Sequence, residues 1–103
     1  MVDQTMIDVG DISDQLAAVC KARGVRSLAL FGSSVRDDRT ADSDVDVLVS
    51  FDGSHDLFNR YMGLLEDLRA LFGRDVDLVI DESIRNPVFR DEVMAQKRSV
   101  YVA

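Results

Sequence analysis

The sequence predicts a small α/β (α+β) domain, a mixed β-sheet with helices packed on it. Three features lead there. Short apolar runs recur at 26–31, 45–51 and 76–80, the last two rich in β-branched residues. Helix-period apolar patterns stand before, between and after them. The chain has 103 residues and is 47% hydrophobic, enough for one modest core and one domain over 1–103.

Residues 11–24 read as a helix, with Ile12, Leu16, Val19 and Cys20 on one face and Gly24 at its C-terminal end. The first strand, 26–31, runs into Gly32. Residues 33–43 are a polar loop, and the second strand spans 45–51 up to the turn signal Asp52-Gly53. The helix over 55–72 carries the broadest apolar face, from Leu57 and Phe58 to Leu71 and Phe72. Ser54 is placed to cap it, Asp56 suits its first turn, and Gly73 ends it. The third strand spans 76–80. Pro87 opens a short helix running to about Gln96, and Ser99–Val102 form a closing strand.

One stretch carries chemistry. Gly32-Ser33 ends the first strand, and after ten intervening residues Asp44-Val45-Asp46 opens the second. Alternation along a strand points Asp44 and Asp46 the same way. Two carboxylates about 5 Å apart at an effective dielectric of about 20 repel by roughly 3 kcal/mol, which a divalent cation would offset. For Ser33 and Asp44 to serve one site, the first two strands must be antiparallel. Asp77, near the start of the third strand, requires the second and third to be parallel. The helix at 55–72 is then the crossover. Val45, Val47, Val49, Val76, Leu78 and Ile80 would face the helices, and Asp44, Asp46 and Asp77 the opposite side.

These residues resemble the signature of the minimal nucleotidyltransferase branch of the DNA polymerase β superfamily: Gly-Ser, ten residues, Asp-x-Asp, and a third acid on a later strand. Gly32, Ser33, Asp44 and Asp46 match without gaps, and Asp77 within Val76-Asp77-Leu78-Val79-Ile80 matches the third acid. Asp75 is a rival for that third place. Asp37 departs from the Gly that often follows the Arg matched by Arg36.

The resemblance implies the polymerase β-like nucleotidyltransferase fold. It implies that Asp44, Asp46 and Asp77 are the catalytic acids and hold Mg²⁺, two ions in the fullest form. Gly32, Ser33, Ser34, Arg36 and Ser43 would then bind the nucleotide. The family chemistry is in-line transfer of AMP from ATP. The minimal branch resembles the antitoxin half of toxin–antitoxin modules. There the partner is a helical HEPN-type ribonuclease, and the antitoxin adenylylates one of its tyrosines. Two alternatives stand beside this expectation: an antitoxin that acts by binding alone, and a transferase acting on a small molecule such as an aminoglycoside.

The remaining composition narrows the setting. The net charge is −7, and only Lys21 and Lys97 supply lysine, so a long nucleic acid is not the expected partner, whereas a basic protein is. A single cysteine, Cys20, rules out an internal disulfide, and no signal peptide or membrane span is apparent. Both point to the cytoplasm. His55, the sole histidine, is expected at the surface, and Cys20 in the core.

Overall fold

A computed structural model describes residues 9–32 and 44–103 of the chain. The order of elements is α1 (Val9–Ala22), β1 (Val25–Leu30), β2 (Val45–Phe51), α2 (Leu57–Phe72), β3 (Val76–Ile80), α3 (Pro87–Gln96) and β4 (Arg98–Val102). A 3-10 turn, Asp81–Ser83, follows β3 and was not expected from the sequence. The four strands form one sheet in the order β3-β2-β1-β4. β1 runs antiparallel to both β2 and β4, while β2 and β3 are parallel, with α2 as the crossover.

The two sheet faces are covered differently. On the first, Val45, Val47 and Val49 are completely buried together with Leu28 and Leu30, beneath Leu16 and Cys20 of α1 and Leu64 and Leu68 of α2. Each fully buried Leu of this layer contributes about 1.5–3 kcal/mol relative to exposure. On the second face, a smaller cluster of Ala29, Phe31 and Leu48 packs against Val93 of α3, with Val79, Ile84 and Met94 around it. The sequence placed helices on the sheet but did not assign α3 to this second face.

Local chemistry explains the ends of the elements. α1 stops two residues before Gly24, whose φ of +68° lets the chain turn straight into β1. α2 begins at Leu57 rather than at 55, and Ser54 does not cap it. Its N-cap is Asp56 in the left-handed conformation (φ 52°), with Asp56 Oδ1 accepting from Asn59 Nδ2 at 2.8 Å. α3 starts at Pro87, where no amide hydrogen is needed, and Asn86 Oδ1 accepts from the amides of Val88 (2.9 Å) and Phe89 (3.3 Å).

Arg60 is the internal clasp of the first face. It is buried, and its guanidinium donates to the carbonyls of Arg23 (2.9 Å), Gly24 (2.6 Å), Asp52 (2.7 Å) and His55 (2.8 Å). It also stands 4.9 Å from the centre of the Phe51 ring. One cation thereby bridges the carbonyls of two turns, α1–β1 and β2–α2, which the Asp52 amide also links by donating to the Gly24 carbonyl at 2.8 Å. His55 is exposed, as expected. Cys20 is fully buried, and burial pushes its thiol up to about 12. No helix among the described residues is long and apolar enough to cross a membrane.

Candidate active site

The second sheet face carries the acids. Asp46 and Asp77 are paired in register on the parallel strands β2 and β3, so their side chains leave the same face of strands about 4.8 Å apart. The alternation that buries Val45, Val47, Val76 and Leu78 beneath the helices sends these two carboxylates to the opposite side. Gly32 closes on them from the end of β1. Its φ is +60°, and a Cβ added there would lie 2.5 Å from Asp46 Oδ2. The Phe31 amide donates to the Asp46 carbonyl at 3.1 Å, fixing the end of β1 against the start of β2. Glycine is therefore required at 32 twice over, for the turn and for the close approach of main chain to carboxylate.

A cavity of about 360 Å³ opens over this arrangement. It is lined by Gly32, Asp46 and Asp77, by Phe31 and Val79, and by the α3 residues Phe89, Glu92, Val93 and Gln96. Among the described residues, the lining carries three acids and no base. Sequence reasoning missed the α3 wall. Its only trace in the sequence is the i, i+3, i+7 recurrence of Phe89, Glu92 and Gln96, which does not say where the helix packs.

The expected residues fare as follows. Asp46, Asp77 and Gly32 come together. Asp44 precedes β2, is exposed and does not line the cavity. Among the described residues, no three His, Cys, Asp or Glu side chains stand close enough to hold one metal ion. The strand register pairs Asp46 with Asp77, and Asp44 stands one residue before the paired stretch. Asp75, the rival to Asp77, also lies outside the cavity, with Oδ1 4.0 Å from Arg69 Nε and its carbonyl accepting from the Val45 amide at 2.9 Å. Ser33, Ser34, Arg36 and Ser43 lie outside the described residues.

The donor chemistry suits a hard cation. Carboxylate oxygens are the ligands Mg²⁺ prefers, and Asp46 and Asp77 leave one face side by side. The charge of Asp77 is felt nearby. Burial, and then Asp77, raise the Tyr61 phenol above its ordinary value, and the Tyr61 hydroxyl donates to the Leu78 carbonyl at 2.6 Å.

The chain is similar to known proteins in sequence and in fold. Residues 12–100 match the family model described as the nucleotidyltransferase domain. A protein of Methanocaldococcus jannaschii assigned as a protein adenylyltransferase is 40% identical over 70 residues, 67% of this chain and 70% of that one. The protein adenylyltransferase MntA of Thermococcus cleftensis is 43% identical over 65 residues, 63% of this chain and 65% of that one. Among solved structures, the complex of tri-AMPylated Shewanella oneidensis HEPN toxin with MNT antitoxin holds a chain of like fold. Its TM-score is 0.65 at 20% identity, over 93% of this chain and 74% of that one.

Proposed function

From the premise that the chain belongs to the nucleotidyltransferase domain family, we propose that it is an antitoxin that moves AMP from ATP to a tyrosine of a HEPN-type ribonuclease toxin. The observation that carries this reading is the in-register pairing of Asp46 with Asp77 beside the Gly32 turn. The names of its relatives set the reaction class: protein adenylyltransferases in two archaea, and an MNT antitoxin bound to an AMPylated toxin.

Each residue then has a task. Gly32 lets the phosphate chain approach the main chain closely, with Ser33, Ser34, Arg36 and Ser43 as further contacts to the phosphates. Asp46 and Asp77 would hold Mg²⁺, with Asp44, two residues before Asp46, as the further acid at the entrance of β2. When bound, Mg²⁺ neutralises charge on the attacking and leaving oxygens. The Asp77 carboxylate accepts the phenolic proton. The tyrosine oxygen bonds to the α-phosphorus, the bond from that phosphorus to the β-phosphate bridging oxygen breaks, and pyrophosphate leaves. The acidic chain, at −7, suits a basic RNA-cleaving partner. The reaction belongs in the cytoplasm, where a lone thiol stays reduced.

The test incubates the purified chain with a cognate HEPN-type toxin, ATP and Mg²⁺. The expected result is one or more AMP masses on a toxin tyrosine, with loss of ribonuclease activity. Silencing of the toxin without any added mass would replace transfer by inhibition through binding alone.

A further inference from the structure

The α3 wall of the cavity has chemistry of its own, and its meaning rests on the nucleotidyltransferase reading above. Phe89, Glu92 and Gln96 line the same space as Asp46 and Asp77. They recur at three and seven residues, on one helix face and over about 10 Å of helix. That face is held firmly. Val93 beneath it is buried against Ala29, Phe31 and Leu48. Arg90 Nη1 lies 2.9 Å from Asp81 Oδ1 and donates to the Asp81 carbonyl at 3.1 Å, tying the helix to the end of β3. The Phe89 ring meets Phe31 edge-on, with centroids 6.3 Å apart and planes at 74°, yet Phe89 stays 42% exposed.

Charge decides which end of a nucleotide this wall can receive. Among the described residues no third acid joins Asp46 and Asp77 at one metal position, so the Glu92 carboxylate has no shared cation to offset its repulsion of phosphate; the triphosphate belongs on the Gly32 side and an uncharged group beside α3. A purine offers an aromatic face for an open phenyl ring. Its edge offers donors and acceptors that carboxylates and carboxamides read. A carboxylate accepts but does not donate, so it pairs with an exocyclic amino group such as the one at C6 of adenine, and a carboxamide beside it can donate to the neighbouring ring nitrogen, which is an acceptor in adenine and a protonated donor in guanine.

We propose that Phe89, Glu92 and Gln96 form the adenine-selecting wall of the site. The base stacks on Phe89, its 6-amino group donates to Glu92, and Gln96 reads the adjoining ring nitrogen. These are specificity-determining contacts, separate from the acids that handle the phosphates.

The test is calorimetric titration of the whole chain, in Mg²⁺, with ATP, with purine riboside triphosphate (which lacks the 6-amino group) and with inorganic tripolyphosphate. The parent is expected to bind ATP about tenfold more tightly than purine riboside triphosphate. Glu92→Ala, an exposed helical site that tolerates alanine, brings that ratio close to one and does not weaken tripolyphosphate binding. Phe89→Ala weakens both nucleotides about tenfold but not tripolyphosphate, and Phe89→Trp restores them. A parent that binds the two nucleotides equally overturns the proposal. So do variants that bind ATP like the parent while transferring less AMP to the toxin, since the wall would then receive the acceptor. A parent that binds neither ATP nor tripolyphosphate overturns the transferase reading itself, a failure distinct from lost selectivity.

Discussion

The two faces of the sheet use the same strands for opposite ends. On the first face, β2 supplies Val45, Val47 and Val49, all completely buried under α1 and α2. On the second, the same strand supplies Asp46 to an open cavity and Leu48 to a small cluster under α3. A period of two separates a stabilising layer from a chemical one within a single heptapeptide. The first face can tolerate two like charges on its reverse because its own packing is dense and continuous. The second carries little apolar area and is free to be shaped by the site.

That contrast can be attacked from either side. Leu64→Ala opens a cavity in the dense layer and is expected to cost about 3 kcal/mol in urea unfolding, with the ATP affinity of the folded fraction unchanged. Arg60→Met removes the donors to four turn carbonyls and is expected to cost about 2 kcal/mol by the same measurement, again without a change in nucleotide affinity. Cys20 gives the dense face a pH signature. Its thiol is pushed up to about 12 in the folded chain, against about 8.5 when unfolded. The unfolded chain therefore releases a proton that the fold retains. The stability is whole below about pH 8.5 and falls by about 1.4 kcal/mol per pH unit as pH rises toward the folded value. Unfolding at pH 8 and pH 10 should show that slope in the parent, reduced by this amount in Cys20→Ala. Asn86→Ala, which uncaps α3 on the open face, is expected to cost only about 1 kcal/mol while reducing nucleotide affinity. If it left affinity untouched, α3 would be a cover and not a wall.

Much of this division was legible in the sequence. β2 and β3 fall at 45–51 and 76–80, as their β-branched runs indicated, and the antiparallel and parallel pairings follow from where the acids sit. The pairing of Asp46 with Asp77 needed only the strand period and the crossover. What the sequence hid is tertiary. α3 has one buried residue, Val93, and its apolar residues Val88, Phe89, Val93 and Met94 do not say which face of the sheet it covers. Arg60 sits within an apolar stripe, and its role was not legible because its partners are carbonyls of distant turns that no pattern encodes. Asp56 takes the N-cap position of α2 in place of Ser54, in a left-handed conformation and without a side-chain bond to the first-turn amides.

The account rests on Asp46 and Asp77 acting as one unit on the open face. The direct test is the double variant Asp46→Asn, Asp77→Asn, assayed for transfer of AMP to the toxin alongside its melting temperature. Removing two like charges while keeping their shape should lower transfer by at least about a thousandfold and leave the melting temperature equal or higher. Transfer that persists at the parent's rate in a folded double variant would contradict it.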